Sequence, residues 1–164
     1  MPSKSWSSGD GGGNLNQAHE YLEQALGIAR EVEWKFSIAF CLVELSNLFY
    51  LQGNLEACKQ NFRESLSFRK GLAKSHNGYI LTASLGFLCH YAPEISARLL
   101  GAVQHFSEQG YPYYSPAEKL YGRRAENHAR KVLGDVKFKS AFIQGQEMSL
   151  DEGLDLAWKT VEEM

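Results

Sequence analysis

The chain repeats its own pattern at an interval of forty residues, and this self-similarity constrains the fold more than any single motif. Gly13-Asn14-Leu15 lies over Gly53-Asn54-Leu55, and the same register puts Ala18 on Cys58, Leu22 on Phe62, Ala25 on Ser65 and Leu26 on Leu66. Small residues match small and large match large. A helical unit with this alternation of bulk cannot bury its apolar stripe alone, so it must stack on a neighbour of the same kind. The expected fold is all-α, a short α-solenoid of antiparallel helix pairs with a C-terminal helical cap. Residues 1–13 read as a flexible tail, 14–110 as the repeats and 111–164 as the cap packed on them.

Periodicity places the helices. From Asn14 to Glu33 the apolar residues Leu15, Ala18, Leu22, Ala25, Leu26 and Ala29 recur at intervals of three and four, making one face of a helix. Lys35 to Leu51 is apolar almost all round, as expected of a helix held between neighbours, and Gln52-Gly53-Asn54 supplies its stop. A partner helix follows from about Leu55 to Lys70. Tyr79 to Tyr91 and Ile95 to Phe106 make the next pair, with Pro93 at the helix opening, where its missing N–H costs little. Ser115-Pro116-Ala117-Glu118 and Ser149-Leu150-Asp151-Glu152 are capping boxes that start two further helices, the first of which ends at Gly134. A short helix, Val136 to Gln144, lies between them. No segment shows the alternation of a strand.

Composition excludes several function classes. The formal net charge of -2 does not suit a domain built mainly to neutralise nucleic-acid phosphates. The longest near-apolar run, Phe36 to Val43, stops at Glu44, far short of the roughly 18 residues a membrane span needs. Met1 to Gly13 has no apolar core and does not read as a secretory signal. Cys41, Cys58 and Cys89 sit within apolar helical patterns without a C-x-x-C pair, so they read as small core residues in a reducing compartment.

Catalytic and metal signatures are weak. Gly11-Gly12-Gly13 precedes a helix, but no Lys-Ser/Thr follows it and no strand comes before it, so it reads as tail or helix start and not as a phosphate cradle. The histidines His19, His76, His90, His105 and His128 have no two-ligand helical spacing, and no cofactor or metal is expected. Cys89 and His90 are adjacent and so point about 100° apart on a helix, which does not suit a nucleophilic dyad. No acid, base and nucleophile set is visible, and an enzyme is not expected. Lys119, Arg123, Arg124, Arg130 and Lys131 form a basic patch on the helix spanning 117–132, expected opposite its apolar stripe. With Tyr113 and Tyr114 nearby as stacking platforms, this helix carries the alternative reading, nucleic-acid binding.

From Leu42 to Leu66 the residues Leu42, Leu45, Ser46, Phe49, Tyr50, Gly53, Cys58, Phe62 and Ser65 fall on the pattern of a tetratricopeptide repeat, with Leu42 and Ser46 where that family often has Trp and Gly. The C-terminal half, with Ala97-Arg98-Leu99-Leu100-Gly101-Ala102, Ser115-Pro116-Ala117-Glu118, Val132-Leu133-Gly134, Phe138, Ala141-Phe142, Gly145 and Ser149-Leu150-Asp151-Glu152, resembles the helical repeat region at the C-terminus of large bacterial ATPase-containing transcriptional regulators of the LuxR-type and cyclase-associated kind. The resemblance implies a cytoplasmic, non-enzymatic scaffold that binds a protein or peptide, or other domains of its own parent protein, in transcriptional regulation. It further implies that first helices line a concave groove. The matching positions are Val43, Asn47, Tyr50 and Leu51, then Ala83, Phe87 and His90, with Asn47 as a clamp on a peptide backbone. The basic residues that grip a terminal carboxylate in chaperone-binding members are missing, which does not support recognition of an acidic C-terminus.

Overall fold

The computed structural model describes residues 11–111 and 115–164. Among them are eight α-helices, one 3-10 turn and no strand, so the fold is all-α. The helices are α1 (Gly11–Glu31), α2 (Lys35–Leu51), α3 (Leu55–Ser67), α4 (Lys74–Tyr91), α5 (Pro93–Glu108), α6 (Pro116–Leu133), α7 (Asp135–Gln146) and α8 (Leu150–Glu162), with the 3-10 turn Arg69–Gly71 after α3. α1 begins at Gly11, ahead of the expected boundary at Asn14, and the rest of the expected tail, residues 1–10, lies outside the described residues.

Local chemistry sets most boundaries. Asn54 caps α3 by accepting from the Ala57 N–H at 3.1 Å. At Ser115 and Ser149 the serine hydroxyl accepts from the N–H of Glu118 and Glu152, and each glutamate carboxylate accepts in return from the serine N–H. Gly53 and Gly134, both at φ +76°, stand where α2 and α6 end, a backbone conformation that side chains with a Cβ disfavour.

α2, α4 and α6 lie side by side in chain order. Contacts between them join Glu44 to Tyr79, Asn47 to Ala83 and Tyr50 to His90, then His90 to His128, so residue numbers rise together and the three helices run in the same direction. α1 and α3 pack on α2, α5 on α4, and α7 on α5 and α6. α4 is the centre of the molecule, buried without interruption from Asn77 to Leu85 and again from Phe87 to Cys89. A smaller core joins Leu26 and Ala29 of α1 to Ile38, Cys41, Leu42 and Leu45 of α2.

The last helix breaks the sequential order expected of a solenoid. α8 does not continue beyond α7; it folds back against α3, α4 and α5. Leu154, Ala157 and Val161 are fully buried there, and Gly153 lets the helix approach Leu81 of α4 and Ala102 of α5. At its rim Arg63 of α3 pairs with Glu162 at 2.7 Å and lies over the Trp158 ring, Arg69 pairs with Asp155 at 2.5 Å, and the Tyr91 hydroxyl donates to the Glu163 carbonyl at 2.7 Å. Exposed pairs of this kind contribute about 0–1 kcal/mol each, so the apolar seam decides the position of α8. The expected cap at 111–164 is therefore two things: α6 and α7 extend the stack, and α8 returns to its middle.

α5 and α7 touch backbone to backbone. A Cβ added at Gly145 would stand 1.7 Å from the Arg98 carbonyl oxygen, and one at Gly101 would stand 2.0 Å from that of Phe142. Neither backbone can yield as a flexible side chain would. Alanine gains up to about 1 kcal/mol over glycine in a helix interior, whereas overpacking costs about 1–3 kcal/mol or more. Gly145→Ala and Gly101→Ala should therefore lower the free energy of urea unfolding, by about 2 kcal/mol for Gly145→Ala. Gly27→Ala on α1, where an added Cβ meets nothing, should raise it by up to about 1 kcal/mol. Equal effects at the three glycines would contradict the close crossing.

Candidate functional site

The face shared by α2, α4 and α6 is built in layers that follow one another along the three helices. In the first, the Glu44 carboxylate accepts from the Tyr79 hydroxyl at 2.6 Å and from the Tyr121 hydroxyl at 2.5 Å, so one side chain ties three helices together. Phe36 and Phe40 flank Tyr79, and Phe36 stacks on His76 with ring centroids 3.8 Å apart. Burial raises the Glu44 carboxyl above its ordinary value of 4.5, and the two tyrosine bonds pull it partly back. Both tyrosine hydroxyls are held protonated by burial and by the neighbouring Glu44.

The second layer is Asn47, whose amide donates to the Ala83 carbonyl at 3.1 Å and the Val43 carbonyl at 3.3 Å. Gly86 faces it. A Cβ at Gly86 would stand 2.1 Å from the Asn47 Oδ1 and 3.0 Å from the Tyr121 ring, so glycine is what allows α2, α4 and α6 to meet here.

The third layer opens to solvent. The Tyr50 and His90 rings lie parallel at 6.5 Å, and His90 meets His128 edge-on at 4.6 Å. His90 and Arg124 are exposed and Tyr50 and His128 half-buried, with Leu51 exposed at the end of α2. Burial, then His128, then Arg124 lower the His90 imidazole below its ordinary 6.5, so it is neutral at physiological pH. This end offers aromatic faces, imidazole hydrogen bonds and one guanidinium to a partner.

The expected groove is thus redistributed. Tyr50, Leu51 and His90 are at the surface, but Val43, Ala83 and Phe87 are completely buried. The groove expectation fails at these three because all belong to the main buried apolar cluster, where an open wall was expected. Phe87 packs edge-on against Phe62 of α3 at 5.3 Å. Asn47 is a staple between α2 and α4 and not a clamp on an incoming backbone, since its amide donors are already used.

The basic patch is not one face. Lys119 and Arg123 line a cleft of about 350 Å³ between α5, α6 and α7, with Leu100, Gln104, Gly122 and Phe142. Arg124 turns the other way, to the side of α6 where Cys89, His90 and Tyr121 lie. Arg130 is engaged with Glu126 and Asp135, each at 2.9 Å, and lies over the Phe138 ring. Lys131 is exposed. Tyr113 and Tyr114, the expected stacking platforms, lie outside the described residues, while Tyr111 stacks on Phe106 at 4.4 Å.

The three cysteines are buried and free, with Cys58 pushed up to about 12 and Cys89 to about 11 by burial, so they are thiols. Among the described residues no group of three or more His, Cys, Asp or Glu side chains is placed to hold a metal ion, and no helix is long and apolar enough to cross a membrane. Comparison of the chain with protein-family models, with curated proteins and with solved structures finds no match in any of the three.

The Glu44 cluster is testable through pH. Its folded pKa lies above the unfolded one, so the folded state binds the extra proton, and this contribution to stability is full below 4.5 and is lost as pH rises through the folded value. Glu44→Gln removes the titration and keeps hydrogen-bonding atoms before both tyrosines. The variant should gain stability relative to the parent between acid and neutral pH in urea melts, whereas Tyr121→Phe should lose about 1.5–3 kcal/mol at neutral pH, as expected for a bond to a charged acceptor. A parent-to-variant difference that does not change with pH would contradict the assignment.

Proposed function

We propose that the chain is a non-enzymatic protein-contact module that binds an acidic, apolar-anchored peptide segment at the open end of α2, α4 and α6. The observation that carries this reading is the alignment of three helices running in the same direction, which sets Tyr50, His90, His128 and Arg124 on one exposed surface with Leu51 at its edge. Their chemistry is selective. The aromatic ring and Leu51 take apolar side chains, and Arg124 supplies a charge that a carboxylate can pair with. Scaffolds of stacked helices commonly use such shared faces.

The tetratricopeptide-like pattern from Leu42 to Leu66 supports a role as part of a larger cytoplasmic regulator, whose other domains are candidate partners. The nucleic-acid alternative has less support, because Arg123 and Arg124 diverge and Arg130 is already paired.

Selection of peptides from a displayed random library should enrich sequences that combine acidic and large apolar residues. Arg124→Glu should weaken them at least tenfold, and Tyr50→Ala with His90→Ala should abolish capture while helicity is kept. Affinity should rise as pH falls through the lowered His90 value, on the acid side of the ordinary 6.5, because His90 then takes up a proton and adds to the positive charge facing the peptide. Peptides whose binding ignores all three substitutions would place the contact surface elsewhere.

A further inference from the structure

The two ends of the helical stack carry apolar stripes that no described residue covers, and the charges beside them are opposite. α1 buries Leu26 and Ala29 against α2 and leaves Tyr21 and Ile28, with Val32 just past its end, more than half exposed on another side. These residues, with Ala25, follow the spacing of four, three and four that makes one helical stripe. Glu20 and Glu31, both exposed, stand on one flank of the stripe, about three turns apart, with Gln24 between them. The cation of this helix, Arg30, lies on a different side and is paired with Glu64 at 2.7 Å, so it does not offset the two acids.

α7 shows the counterpart. It buries Phe138, Ala141 and Gly145 and turns Val136 and Ile143 outward on the opposite side, with Val136 86% exposed. Lys139 stands on one flank of these two and Lys137 on the other, and the adjoining end of α6 adds exposed Val132 and Lys131. Of the nearby acids, Asp135 is held by Arg130 at 2.9 Å, and Glu147 is exposed at the far end of α7, one turn past Ile143, so the excess of Lys lies at the Val136 end. Tyr21 and Ile28 on α1 are seven residues apart, as are Val136 and Ile143 on α7. The two stripes therefore share a spacing of two helical turns, and the charges beside them are of opposite sign. α1 packs on α2 and α7 on α5 and α6, so within one copy the two faces belong to helices that are not packed on each other.

We propose that a second copy of this chain is the occupant: the basic apolar face of α7 docks on the acidic apolar face of α1 of the next molecule, head to tail. Two different surfaces are used, so the contact is heterologous, and each added copy presents a fresh face for another. Apolar contact between the stripes excludes water, and the flanking Glu and Lys side chains favour unlike faces and suppress the like-charged pairing of α1 with α1. The contact uses neither the Tyr50–His90 surface nor its partner, so the two readings fail independently.

The test is sedimentation equilibrium of the full chain at low and high salt, beside two variants with helicity followed by circular dichroism. Glu20→Lys/Glu31→Lys blocks α1, and Lys137→Glu/Lys139→Glu blocks α7; all four positions are exposed, and neither variant touches the core. The parent should exceed the chain mass of 18.4 kDa, increasingly with concentration and less in about 1 M salt, where the screening length falls to about 3 Å. Each variant alone should sediment as the monomer, and an equimolar mixture of the two should associate again, because acidic and basic faces are then both present. A parent that stays at 18.4 kDa at low salt overturns the proposal. So does an α7-blocked variant that still dimerises, which would mean that α1 pairs with itself.

Discussion

α4 is apolar around nearly its whole circumference, and the arrangement of α2, α5, α6 and α8 answers to the need to cover it. An exposed Leu, Ile or Phe forgoes about 1.5–3 kcal/mol relative to a buried one, and α4 carries Ile80, Leu81, Leu85, Phe87 and Leu88, all fully buried. α2 and α6 take its two flanks and α5 its back. One strip between α3 and α5 remains, and α8 fills it with Leu154, Ala157 and Val161. A chain that stacked strictly in order would leave this strip to water. The return of the last helix is thus a consequence of how greasy the middle one is.

Covering α4 also determines what surface is left. Where α2, α4 and α6 meet, the Glu44 carboxylate accepts from two tyrosine hydroxyls, the Asn47 amide donates to two backbone carbonyls, and Gly86 removes the side chain that would hold the helices apart. These polar groups are costly to bury unless fully bonded, so they fix the register of the three helices in a way that apolar contact alone does not. The open layer one turn further on inherits that register. Tyr50, His90 and His128 come together from three helices because residues a turn earlier are locked.

Much of this was legible in the sequence. Period and capping chemistry located the helices, and the capping boxes at Ser115 and Ser149, the stops at Gly53 and Gly134 and the apolar character of α2 all describe what is observed. Local pattern says which residues are apolar but not which neighbour covers them. For this reason Val43, Ala83 and Phe87 read as groove residues and are core, and the fold-back of α8 left no local trace. Glu44 was a usable signal: a single acid interrupting an apolar run in a helix held between neighbours needs partners, and Tyr79 and Tyr121 supply them. The basic helix misled because Arg123 and Arg124, adjacent in sequence, point about 100° apart.

The position of α8 is the claim on which this account turns, and proton–proton NOEs in the intact, unsubstituted chain test it without perturbing anything. The Gly153 α-protons should show cross-peaks to the Leu81 δ-methyls and the Ala102 β-methyl, since a Cβ at Gly153 would lie 2.9 Å from one Leu81 methyl and 3.7 Å from Ala102. Cross-peaks from Gly153, Leu154 and Val161 to residues of α7 instead, with none to Leu81, would mean that the helices stack in simple order and that α4 is covered by something else.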